Sequence, residues 1–189
     1  MLIYLHGFNS SPASHKATML RDFMMSLGRA GEFVCPKLSH WPNEAIAQAE
    51  EIIDEHAGEN ITLVGSSLGG FYAIYLAEKH HPKAVLVNPA VKPFASLDAY
   101  LGAQKNIYSG ETYEFTRTHI AQLLALDVAA ITRPERYLLL TQTGDEVLDY
   151  REGVRKLAGA RQIVIQGGDH GFRNFDAYLD TILSFSLST

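Results

Sequence analysis

With 189 residues, 47% hydrophobic and 20% charged, the sequence has the make-up of one globular domain and not of a disordered chain. Lys and Arg number 16 against 21 Asp and Glu, a net charge of -5 with no basic cluster, which argues against an electrostatic nucleic-acid footprint. The single cysteine, Cys35, excludes an intramolecular disulfide and a cysteine-rich zinc site, and no apolar run approaches the roughly 18 residues of a membrane helix.

In chain order, short apolar runs alternate with segments of helical spacing. Leu2-Ile3-Tyr4-Leu5 predicts a first strand, with no basic segment ahead of it to suggest a secretory leader, so a cytoplasmic protein is expected. Met19, Phe23, Met24 and Leu27 then share one helix face. Phe33-Val34-Cys35 predicts a second strand, followed by a helix carrying Ala45, Ala49, Ile52 and Ile53. Residues 61–64 form the third expected strand, backed by a helix with Phe71, Ile74, Tyr75, Ala77 and Glu78. Residues 84–87, 136–141 and 161–165 are three further strands. Helices are expected around Ile120, Leu123 and Leu124, and from Phe175 through Tyr178, Leu179 and Ile182 to Leu183. Uninterrupted apolar runs suit strands buried on both faces. The expected fold is α/β, a mainly parallel sheet of about six strands with helices on both faces. Residues 91–131 are too long for a simple connection and are expected to form a small helical insertion, a candidate lid. No linker-like stretch divides the chain, so 1–189 is read as a single domain.

The third strand runs into Gly65-Ser66-Ser67-Leu68-Gly69-Gly70, and a helix follows at once. This is G-x-S-x-G at a strand-to-helix turn, the setting in which the central serine is lifted above the sheet as a nucleophile. A glycine-rich phosphate-binding turn, or plain close packing, is the competing reading. Ser66 stands off the motif centre and receives no role.

A serine hydroxyl needs an adjacent base. His170, in Gly167-Gly168-Asp169-His170-Gly171-Phe172, follows the last strand and can reach the same cleft. His15, His40, His56, His80, His81 and His119 fall on helix ends, helix starts or loops and read as structural. Asp145, first after Gly144 at the end of the fifth strand, is the candidate to orient the imidazole, with Glu146 and Asp149 as rivals. The order Ser67, Asp145, His170 is that of α/β-hydrolases. The small-residue loop after Leu5 supplies a place for the oxyanion, with the backbone amides of Phe8 and Leu68 as donors. His6 is expected to orient that loop or to sit as a buried, hydrogen-bonded histidine. The chemistry requires no metal and no organic cofactor.

The chain is thus similar to the α/β-hydrolase superfamily and, within it, resembles the bacterial YqiA/YcfP-type esterases. The likeness is carried by residues 4–12, 64–70, 87–91, 142–150 and 167–170. It implies a compact serine hydrolase of carboxylic esters or thioesters, with Ser67 as nucleophile, Asp145 as acid and His170 as base. It also implies that the first two strands of larger relatives are missing. Asp169 departs from the neutral amide expected beside the base. It is expected either to act on His170 or to cap the last helix.

Substrate-binding candidates are His6, Asn9, Trp41 and Asn88. The aromatics Phe94, Tyr100, Tyr108, Tyr113 and Phe115 either line an acyl pocket or form the insertion's own core. Lys92 and Arg117 either meet an anionic leaving group or lie solvated on the surface. The expected partner is a small acyl ester or thioester, and neither nucleic acid nor membrane. A serine aminopeptidase or amidase, and a non-catalytic binding protein on the same fold, remain the alternatives.

Overall fold

Strands without polar alternation must be covered on both faces, and the chain is arranged so in its computed structural model, which describes residues 1–188. The elements in order are β1 (Leu2–Leu5), α1 (His15–Ser26), β2 (Phe33–Val34), α2 (Pro42–Glu55), β3 (Thr62–Ser66), α3 (Leu68–His80) and β4 (Lys83–Val87). Then come α4 (Pro93–Ser96), β5 (Gly102–Lys105), β6 (Thr112–Phe115), α5 (Arg117–Ala125), β7 (Tyr137–Gln142), α6 (Tyr150–Lys156), β8 (Arg161–Ile165) and α7 (Leu179–Leu187). The six-stranded sheet runs β2-β1-β3-β4-β7-β8, and every pair is parallel.

Alternate residues of each strand face opposite layers. Ile3, Leu5, Leu63, Leu86 and Leu139 pack under α2 and α3, whereas Leu2, Tyr4, Val64, Val85 and Leu138 pack under α1 and α7. The chain leaves β1 toward β2 and returns to place β3 on the other side of β1. The carboxyl ends of β1 and β3 therefore open at a topological switch point, where α/β sheets form their crevice. Among the described residues, no helix is long and apolar enough to cross a membrane.

The six strands match the predicted ones within a residue or two. Two expectations need correction. The insertion over 91–131 is not purely helical, because β5 and β6 pair as an antiparallel hairpin between α4 and α5. Its turn is closed by Asn106, whose Oδ1 accepts from the amides of Tyr108 and Ser109, and by Gly110 at φ 74°. Strands of only 4 residues leave too little periodicity to read. The last predicted helix starts late, since Phe175–Tyr178 forms a 3-10 turn before α7.

What brings the elbow against the first strand is the absence of two side chains. A Cβ on Gly69 would lie 2.5 Å from the Leu5 carbonyl carbon and 2.8 Å from the His6 carbonyl oxygen. One on Gly65 would lie 2.7 Å from the Gly69 carbonyl carbon and the Gly70 Cα. These are backbone atoms that cannot step aside. Gly69→Ala is expected to lower unfolding free energy by roughly 2–4 kcal/mol, by forcing α3 off β1. Gly31→Ala, with nothing within 4 Å of the new methyl, should stay near neutral. Equal denaturation midpoints for the two variants would contradict the packing argument.

Candidate active site

Ser67 lies between β3 and α3 with φ 55° and ψ -121°, a backbone state that non-glycine residues rarely adopt. Backbone bonds hold it there. Its amide donates to the Val87 carbonyl at 3.2 Å, and its carbonyl accepts from Gly70 at 2.9 Å and from Ala90 at 3.0 Å. The Oγ stands 3.1 Å from His170 Nε2. On the other side of the ring, Nδ1 lies 3.0 and 2.9 Å from the two Asp145 oxygens. Sequence reading named these three residues, and the fold brings them together from β3, β7 and β8.

The Asp145 side chain is 1% exposed and that of His170 is 24% exposed. Burial pushes the Asp145 carboxyl up. The hydrogen bond from His170 and those from the amides of Leu148 and Val147 outweigh burial and hold it below its usual value. The rivals have other work. Glu146 Oε2 accepts from the backbone amide of His170 at 3.0 Å, and Asp149 caps α6 by accepting from the Arg151 amide. Asp169 pairs with Arg173 at 2.7 Å and does not cap the last helix, whose N-cap is Tyr178.

Gly7 passes so close that a Cβ there would sit 3.1 Å from the Ser67 Cβ, and Phe8, the next residue, lines the same cavity as Ser67. Neither the Phe8 nor the Leu68 amide donates a hydrogen bond to a backbone carbonyl among the described residues. His6 is 5% exposed; its Nε2 accepts from the Leu38 amide and its Nδ1 faces the Gly7 carbonyl. Burial lowers its pKa, against the opposing effect of the Gly7 carbonyl, so the ring is a neutral tie between the loops after β1 and β2. Two cavities meet at residues 7–10. One, of about 320 Å³, contains Ser67 and His170; the other, of about 450 Å³, is lined by Phe8, Leu68, Tyr72, Trp41 and Tyr113.

The substrate-binding candidates divide. His6, Asn9 and Trp41 line the larger cavity. Asn9 is already engaged with the insertion, donating to Gln104 Oε1 at 3.0 Å and accepting from the Tyr113 hydroxyl at 2.8 Å. Asn88 is a correction. It is 2% exposed, lines neither cavity, and spends its amide internally: Nδ2 donates to the carbonyls of Asp169 and His170, and Oδ1 accepts from Thr141 and Gln142. Its role is to hold the His170 loop. Gln142, missed in the sequence, does the same by accepting from the amides of Asp169 and Arg173.

Phe115 is buried in the core, Phe94 packs against it, Tyr113 lines the larger cavity and Tyr108 the smaller. Tyr100 is 44% exposed and meets Phe8 edge-on. Lys92 lines a separate cavity, and Arg117 is exposed and lines neither site cavity. Among the described residues no cluster of His, Cys, Asp and Glu is arranged to hold a metal ion.

A carboxyl whose folded pKa is depressed stabilises the fold fully above its unfolded value, about 3.9, and loses that contribution as pH falls through the folded value. The fall in stability on acidification should therefore be shallower in Asp145→Asn than in the wild type. Unfolding free energies measured across that acid range would contradict the assignment if the two curves ran parallel.

A family model described as "Uncharacterised protein family (UPF0227)" matches residues 1–187. The UPF0227 protein YcfP of Salmonella paratyphi A is 25% identical over 187 residues, covering 98% of both chains. Among solved structures, alpha/beta hydrolase domain-containing protein 10 from mouse superposes with a TM-score of 0.76 at 19% identity, over 99% of this chain and 90% of that one. Est1E from Butyrivibrio proteoclasticus gives 0.73 at 13% identity, over 98% and 86%. These structural likenesses establish the α/β-hydrolase fold. With the family match running over nearly its whole length, the chain belongs to the UPF0227 family.

Proposed function

We propose that the chain is a serine hydrolase of carboxylic esters, thioesters included, that carry small acyl groups. The observation behind this reading is the unbroken hydrogen-bonded line from Asp145 through His170 to Ser67, ending on a serine held at positive φ. In the proposed reaction Ser67 Oγ attacks the acyl carbon while His170 Nε2 takes its proton. The buried Asp145 carboxylate keeps the other ring nitrogen protonated and balances the imidazolium. The Phe8 and Leu68 amides would stabilise the oxyanion, by a few kcal/mol for each preorganised donor. The imidazolium then protonates the leaving alcohol or thiol, and water releases the acyl group by the same route in reverse roles.

The preference for a small acyl group follows from the larger cavity. Besides Phe8, Leu68, Tyr72, Trp41 and Tyr113 it is lined by Lys37, Glu44, Gln48 and Glu111. A long alkyl chain would desolvate those polar groups without satisfying them.

Initial rates on p-nitrophenyl esters of increasing acyl length test this directly, with Ser67→Ala alongside. The expected result is turnover that falls as the chain lengthens and drops by at least about a thousandfold in the variant. A preference for long chains would overturn the small-acyl assignment. Turnover unchanged in Ser67→Ala would overturn the mechanism.

A further inference from the structure

The cavity that holds Ser67 and His170 is also lined by Lys16. No motif pointed to this lysine; it arrives because the loop after β1 carries the start of α1 back over the strand ends. Its Nζ donates to the Gly171 carbonyl at 2.9 Å, one residue beyond the base. Among the described residues, no carboxylate lies within 4.0 Å of it. Asp145 and Asp169, whose charges reach Lys16, are themselves paired with His170 and Arg173. No Asp or Glu lines this cavity, although the chain carries a net charge of -5. The cavity lining includes further residues able to donate, His15, Tyr108 and Ser14, whose buried hydroxyl has no hydrogen-bond partner among the described residues.

An ammonium with spare donors, in a nucleophile's cavity free of acids, is complementary to an anion. From this placement we infer that the substrate carries a carboxylate or phosphate on its leaving group and that Lys16 binds it. The leaving-group side is indicated because Lys16 contacts the residue next to His170, the group that would protonate the departing oxygen or sulfur. The inference rests on the hydrolase reading for its direction, though anion binding itself does not. Lys92 and Arg117 are not the anion's partners, since they stand away from this cavity.

The test uses three aryl acetates, para-acetoxybenzoate, para-acetoxyphenyl phosphate and the neutral methyl ester of the first, on wild type, Lys16→Met and Lys16→Arg. Because each ester is compared with itself across variants, differences in leaving-group reactivity cancel. The ratio of kcat/KM for the anionic esters over the neutral one should fall about tenfold in Lys16→Met. Lys16→Arg should keep most of it. The larger of the two anionic losses tells whether carboxylate or phosphate is preferred. An equal loss on all three esters would show a structural lysine and overturn the inference.

If none of the esters is turned over in a Ser67-dependent way, the hydrolase reading fails and binding decides the rest. Inorganic phosphate and benzoate are then titrated into the Ser67→Ala protein and into Lys16→Met, followed by the imidazole NMR signals of His15 and His170. Saturable shifts in the first protein and not the second support the anion site. Identical behaviour of the two proteins removes it.

Discussion

The backbone of Ser67 is forced into an uncommon conformation by its neighbours, and the rest of the site depends on that constraint. Such a state costs on the order of 1–3 kcal/mol and persists only where the surroundings over-determine it. Here α3 is pressed onto the end of β1 through Gly69, and β3 is pressed onto α3 through Gly65. The same approach carries Gly7 past the Ser67 Cβ, so that Ser67 and the loop after β1 are set by one packing contact. Asn9 and Asn88, also just beyond strand ends, have positive φ as well. Phe172 and Asn174, after β8, share this feature, so that all the positive-φ non-glycine residues but the α3 C-cap His81 lie at the open end of the sheet.

A second layer fixes His170. The His170 loop follows β8 and has little core of its own, so buried amides from neighbouring strand ends hold it. Asn88, after β4, grips two of its carbonyls, and Gln142, at the end of β7, grips two of its amides. Both side chains are 2% exposed, and a buried amide left without partners would cost roughly 1–3 kcal/mol. The loop therefore has few alternative positions. The insertion is secured in a similar way to the opposite wall. Asn9 bonds Gln104 and Tyr113, Asn106 donates to the Ser10 carbonyl, and Phe8 packs edge-on against Tyr100 and Phe115. The cover over the larger cavity and the loop that bears the Phe8 amide are one connected body.

The parts legible in the sequence are those set by local pattern. Six apolar runs became six strands, the inner four buried on both faces and the edge strands β2 and β8 only partly, and G-x-S-x-G marked Ser67 because only small neighbours permit the turn. Asp145 and His170 were found by their place after β7 and β8. What escaped was set by contacts distant in the chain. Nothing around Asn88 distinguishes a residue that touches substrate from one that braces a loop 81 residues away. Gln142 reads as the end of a strand, and Lys16 as the start of an ordinary amphipathic helix. The β5–β6 hairpin is tied to the loop after β1 by Asn9, Gln104, Tyr113 and Asn106, contacts that no local pattern announces.

The proposed reaction requires Ser67 to be an activated nucleophile. That requirement is tested most directly by treating the protein with a fluorophosphonate and locating the added mass by peptide mass spectrometry. One modification is expected, on Ser67, formed rapidly in the wild type and at least about a hundredfold more slowly in His170→Ala, which lacks the proposed base. Labelling that is absent, that falls on another residue, or that proceeds equally fast without His170 would contradict it.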